Sequence, residues 1–162
     1  MIMRMKIHSG RTFGYTLVEM MITLLILGVL ASIAIPHYAS FVRDSRRADA
    51  ISSTAKIMSQ QELFYGNNGN QFAGGVAQLG LQVYDGNADT TTSEEGHYSI
   101  RMTDCDGNAI GAGDNCIRLL TTAISSSQLK DTDCREFILN SHGGQTSKNS
   151  AGTLSTDGTC WN

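Results

Sequence analysis

Hydrophobic positions along this chain follow three successive rhythms, and each predicts a different element. From Tyr15 to Ile35 they are nearly continuous, and no charge occurs from Met20 to Ile35. That run matches the roughly 20 apolar residues needed for a helix to cross a bilayer core. One carboxylate, Glu19, sits inside it. An ionisable group at membrane depth is costly and marks a function and a partner. The next cation is Arg43, so Glu19's partner has to come from outside the helix.

From His37 to Tyr65 the apolar positions thin out to Tyr38, Phe41, Ala48, Ile51, Ala55 and Met58, three, four or seven residues apart. This is one face of an amphipathic helix, expected to pack on a sheet. Pro36 removes one backbone bond, so a kink or short melted stretch is expected near Ser32–Pro36, with Gly28 a second weak point. Gly66-Asn67-Asn68-Gly69 supplies the stop. A helix over 15–65 measures about 75 Å at 1.5 Å per residue.

The third rhythm is alternation. Tyr98, Ile100 and Met102 share one face of a strand over His97–Thr103, and Ile117–Ile124 and Arg135–Asn140 are further strand candidates. Turn-rich segments separate them, without intervening helices, which favours an antiparallel meander. Phe72–Gly96 reads as a long connection, and Ser141–Asn162 is a polar tail that would be disordered unless tied down. The fold class is α+β.

Four cysteines supply the tie. Cys105 and Cys116 bracket the turn between the first two strands; Cys134 and Cys160 bracket the last strand and the tail. Three connectivities are possible. Pairing Cys105 with Cys116 and Cys134 with Cys160 is the simplest, since each bridge then closes one loose loop. Disulfides imply an oxidising compartment and put the C-terminus outside the cytoplasm. The basic residues before the apolar run, Arg4, Lys6 and Arg11, suit its cytoplasmic side.

Charge and chemistry narrow the function. Removal of residues 1–14 takes three of twelve basic residues and leaves fifteen acidic ones, a formal charge near −6. That argues against a chain devoted to phosphate backbones, although Arg101, Arg118, Lys130, Arg135 and Lys148 are available for a local patch. The acidic stretch Asp85–Gly96 admits calcium as a minority reading without the spacing of an EF-hand. His8, His37, His97 and His142 lie at no metal or catalytic spacing, and no nucleophile, zinc or phosphate-loop motif occurs. No catalytic residue, metal or cofactor is expected.

Gly14, an aromatic, Thr-Leu-Val-Glu and an apolar run to Pro36, behind a short basic leader, resemble the prepilin signature of type IV pilins and type II secretion pseudopilins. The resemblance covers roughly residues 1–60. It implies cleavage after Gly14 by a prepilin peptidase that methylates the new amino terminus of Tyr15, one turn from Glu19. In one helix that amine and Glu19 would pair locally; between helices the pair would fix axial register. Two plainer readings compete: a secretory signal peptide cut near Ser32–Ala34, and an unprocessed anchor. The segment Cys134–Asn140, a Gly-rich stretch and Cys160-Trp161 look like the C-terminal disulfide loop of minor type IV pilins.

The resemblance implies a leader over 1–14, a transmembrane and filament-core half-helix over 15–36, and a periplasmic or extracellular domain over 37–162 that includes the second half of the helix. The implied fold is that of type IV pilins: a long kinked helix on a small antiparallel sheet with a disulfide-bounded C-terminal loop. The implied function is a minor pilus subunit serving assembly or initiation, and through it twitching motility, adhesion or DNA uptake. A secretion pseudopilin and a DNA-uptake receptor are the alternatives. Its implied partners are major and minor pilins, the peptidase and methyltransferase, the inner-membrane assembly machinery, and the membrane before assembly. Its location is the inner membrane, then the extracellular fibre.

Overall fold

A computed structural model of the chain describes residues 14–155 and 158–161. The leader expected over 1–14 lies outside these residues except for Gly14, as do Thr156, Asp157 and Asn162 of the tail. The chain divides into two compact units, residues 1–39 and 40–162.

One helix, α1 (Leu17–Asn67), occupies 51 residues. Thr16 opens it by accepting a hydrogen bond at Oγ1 from the Glu19 N–H, 3.2 Å away, which satisfies one orphan donor of the first turn. In the first unit, every residue from Gly14 to Ile35 is exposed. The hydroxyls of Thr23 and Ser32 donate back to the carbonyls of Met20 and Val29, at 2.9 and 2.7 Å. Two of the polar side chains of this run are thus satisfied without water. The helix is unbroken through Gly28 and Pro36, so the melted stretch expected near Ser32–Pro36 does not occur. Proline's missing N–H costs the one bond to the Ser32 carbonyl, and the helix continues on either side.

In the second unit, the face of α1 that packs inward differs from the expected stripe. Asp49, Ala50, Ser53, Thr54, Ile57, Met58 and Gln61 are buried, whereas Phe41, Ala48 and Ala55 of the apolar stripe are exposed, as is Tyr38 in the first unit. Only Met58, and Ile51 in part, fulfil the expectation. Ser53, Thr54 and Gln61 each find a partner, Ser53 by accepting from the Glu94 N–H at 3.1 Å. Thr54 Oγ1 lies 2.6 Å from Thr121 Oγ1. The Gln61 amide donates to the Ala73 carbonyl and accepts from the Ala73 N–H, both at 2.9 Å. Small and amide side chains let helix and sheet approach closely while the backbone of the next segment is satisfied. Gln61→Leu should therefore strand two buried backbone groups and destabilise the unit by about 2–4 kcal/mol, read as a lowered urea midpoint.

Six strands form one antiparallel sheet in sequence order: β1 (Thr90–Thr92), β2 (Tyr98–Asp104), β3 (Ile117–Ala123), β4 (Glu136–Asn140), β5 (Gln145–Lys148) and β6 (Leu154–Ser155). The meander and its three central strands are those expected. Registers pair Tyr98 with Ala123, Met102 with Leu119 and Leu119 with Leu139, so the alternating apolar set falls on one face. There Ile57 and Met58 of α1 meet Ile100, Met102, Ile117, Leu119 and Leu139. A second cluster joins Ala50 to Tyr98, Ala123, Phe137, Cys134 and Cys160.

Phe72–Gly96 is ordered rather than a free connection. Ala73 and Val76 are fully buried, a 3-10 turn spans Val76–Leu79, and β1 extends the sheet. The turn at Tyr84–Asn87 rests on Asp85 and Gly86, both at positive φ (51° and 72°), which this Asp-Gly pair accommodates. The tail contributes β5 and β6, and Trp161 is its last described residue. Its indole packs edge-on against Phe137 (5.6 Å) and its Nε1 donates to the Thr146 carbonyl (3.0 Å).

Candidate assembly site and sheet-face cations

The start of α1 carries the first group of candidates. Gly14 and Tyr15 precede the helix and are exposed, Tyr15 by 79%. Thr16 is the cap, and Glu19 is the third helical residue and the acidic residue of the first turn. Thr-x-x-Glu before an apolar run is the capping-box pattern, a signal in the sequence that the membrane-depth argument for Glu19 passed over. Among the described residues, no side chain or backbone group donates to the Glu19 carboxylate, which leaves it free for a group from elsewhere. A negative charge in the first turn also meets the positive end of the helix dipole.

The cysteines form the second group. The structure joins Cys105 to Cys116 and Cys134 to Cys160. Beside the second bridge lies a feature that sequence reasoning missed. Arg47 of α1 forks onto Asp131, with Nε and Nη2 at 2.7 and 2.8 Å from its two oxygens. Asp131 is buried and also accepts the N–H groups of Asp133 and Cys134, both at 3.1 Å. Burial alone would raise its pKa. The Arg47 hydrogen bonds and charge and these N–H donors outweigh that and hold it below the usual carboxylate range. One carboxylate thus clasps the helix to the loop that leads into the Cys134 bridge. The partners stand 84 residues apart, and nothing in the spacing of the chain signals such a pair.

The third group is cationic. Arg101, Arg118 and Lys148 lie on the sheet face opposite the core, at β2, β3 and β5. Arg118 and Lys148 line one cavity of about 380 Å3 together with Ile138, Thr146 and Leu154. Arg101 is engaged by Asp89 (3.0 Å), and Lys148 by Glu136. Arg118 donates to Thr103 Oγ1 and has no carboxylate within salt-bridge distance among the described residues. Lys130 and Arg135 are not among that cavity's lining.

The remaining candidates do not assemble. In the Asp85–Gly96 stretch, Asp89 is taken by Thr90 and Arg101, and Glu94 by Lys56. Among the described residues, no group of three or more His, Cys, Asp or Glu side chains is arranged to hold a metal ion. His97 lies 3.6 Å from Glu95 at the start of β2, and His142 is exposed between β4 and β5.

Comparison with known proteins matches both parts of the chain. Residues 10–35 match the prokaryotic N-terminal methylation motif. Residues 36–138 match the family model described as type IV minor pilin ComP, DNA uptake sequence receptor. The type IV major pilin protein PilA of Myxococcus xanthus is 29% identical over 85 residues, 52% of this chain and 38% of that protein. The type IV major fimbrial protein FimA of Dichelobacter nodosus is 29% identical over 119 residues, 67% of this chain and 74% of its own length. The chain thus spans well under half of the first relative and about three quarters of the second. A solved type IV pilin from Shewanella oneidensis aligns with 74% of this chain and 98% of its own, at 18% identity and a TM-score of 0.42. Because the match over residues 36–138 takes in more than half of the chain and the methylation motif adjoins it, the chain belongs to this family of type IV pilins.

Proposed function

We propose that this chain is a minor subunit of a type IV pilus, held in the inner membrane by residues 15–36 and drawn from there into the fibre. The observation that carries this reading is the wholly exposed apolar run from Tyr15 to Ile35, helical from Leu17, with Glu19 near its start. A soluble monomer does not tolerate such a surface; lipid and the helices of other subunits are the two environments that cover it. Glu19 then meets the amine of a processed subunit. Pilins are structural subunits, and assembly is the function proposed here rather than catalysis.

Intact-mass analysis of the membrane-extracted protein should find a chain that begins at Tyr15 and carries one methyl group. A chain beginning at Ile35 would make the segment a secretory signal and remove the filament reading with it.

A second reading, DNA uptake, is favoured by two observations. The family match lies in the globular part, and Arg118 and Lys148 line one cavity with Ile138 beside them. Cations over an apolar patch suit a phosphate with its base. Titration of a labelled duplex should give an affinity that falls with salt. Arg118→Ala with Lys148→Ala should reduce the steepness of that salt dependence by about one to two phosphate contacts. Unchanged binding in the double variant excludes this face, and no binding at low salt excludes the receptor reading altogether.

A further inference from the structure

The molecule has a larger groove elsewhere, of about 890 Å3, between the end of α1, the segment that follows it and the Cys105–Cys116 loop. Its volume falls within the range of small-molecule sites. Phe64 and Phe72 supply aromatic surface, and Phe72 packs on the Tyr65 ring at a 32° tilt with centroids 4.5 Å apart. Asn67, Gln71 and Gln78 supply side-chain amides, and Ile110 an apolar wall. Every described residue lining it is uncharged, although 17% of the chain is charged.

That combination selects its ligand. Without a cation the groove has nothing to neutralise a phosphate backbone, so it is unsuited to nucleic acid. Each amide carries both donors and an acceptor in one plane, the counterpart of adjacent hydroxyls that donate and accept. The negative face of an aromatic ring attracts positive C–H edges, which a pyranose presents on its apolar face. We propose that this groove binds a neutral oligosaccharide, by hydrogen bonds from Asn67 and Gln71 and by ring packing on Phe64 and Phe72.

The proposal also gives the first disulfide a role. Cys134 and Cys160 belong to the hydrophobic core, whereas Cys105 and Cys116 do not. The Cys105–Cys116 loop instead carries Ile110, Gly111 and Ala112, one wall of the groove. Within it Gly111 N–H donates to Asp114 at 2.7 Å. The loop presses on the segment after α1, since a Cβ on Gly74 would stand 3.3 Å from the Ile110 carbonyl oxygen. The bridge holds that wall in place before a ligand arrives, which lowers the entropic cost of binding.

The test uses the full-length protein in a zwitterionic detergent without a sugar headgroup, titrated calorimetrically with maltotriose, chitotriose and N-acetyllactosamine. At least one should bind, with an affinity unchanged between low and high salt because neither partner contributes charge. Gln71→Ala and Asn67→Ala alter exposed amides, leave thermal unfolding unchanged, and should each weaken binding at least about fivefold. Failure of all three sugars at about 10 mM, where weak specific sites fill, overturns the proposal. So does binding that either variant leaves intact, or displacement of the sugar by an uncharged peptide at equal concentration. Since the readout is a neutral ligand at salt-independent affinity, it stands or falls separately from pilus assembly and from DNA binding at Arg118.

Discussion

Glu19→Ala should be cleaved normally, accumulate in the membrane, and be missing from sheared fibres. The distal unit, residues 40–162, has its own core and disulfides, and Glu19 takes no part in either. Losing a charge from the first turn costs the helix about 0.3–1 kcal/mol of dipole interaction, too little to undo 51 residues of α1. Membrane residence should improve, because the apolar run loses its one expensive group. In the fibre the balance reverses. The amine of a neighbouring subunit would be left without a counter-charge among packed apolar helices, and breaking such a buried pair costs about 3–5 kcal/mol. Glu19→Gln separates the charge from the helix start, since it keeps the length and hydrogen-bonding capacity of the side chain. Immunoblots of sheared fibres and of membranes read both variants. Incorporation of either at the wild-type level would remove the pairing role.

Arg47→Met should destabilise the distal unit by about 3–5 kcal/mol, the cost of leaving the buried Asp131 carboxylate without its partner. Asp131→Asn should cost less, because an amide keeps some of the hydrogen bonds, and it should also flatten the acid limb of the stability profile. The reason lies in the direction of the shift. The Asp131 carboxyl is held below its ordinary value in the folded protein. Its stabilisation is therefore complete above the unfolded pKa of about 3.9 and lost as pH falls through the depressed folded value. Urea midpoints from neutral pH down to about pH 3 would show this. An Arg47→Met midpoint equal to wild type would mean that the clasp adds nothing to stability.

Much of this architecture is readable in the chain because it is written in apolar periodicity. The long helix, the three central strands and the meander follow from runs such as Tyr98, Ile100 and Met102, where period and burial agree. What escapes is written in polar residues. β1 is Thr-Thr-Thr and β5 is Gln-Thr-Ser-Lys, with no alternation to show a buried face, and β6 is two residues long. The buried face of the helix escapes for the same reason. Tyr38 and Phe41 make a better apolar stripe than Ser53, Thr54 and Gln61, yet the latter are buried because the Glu94 N–H, Thr121 and the Ala73 backbone are there to meet them. Helical period alone does not say which of two stripes faces the sheet. In the candidate site, Glu19 declared itself by being charged among apolar neighbours. The Arg47–Asp131 clasp did not, because a contact across 84 residues exists only once the chain has folded.

Each strand of the sheet pairs only with its neighbours in sequence, from β1 through β6, and every pair is antiparallel. The result is kinetic as much as structural. Each strand closes only on its sequence neighbour, so every pairing is local in the chain and the entropic cost of closure grows only slowly with the length of the connection. A chain that emerges N-terminus first can build this sheet strand by strand, each strand pairing with the one before it. The long-range contacts are those that join the helix to the sheet and its loops, among them Thr54 with Thr121 across 67 residues and Arg47 with Asp131 across 84.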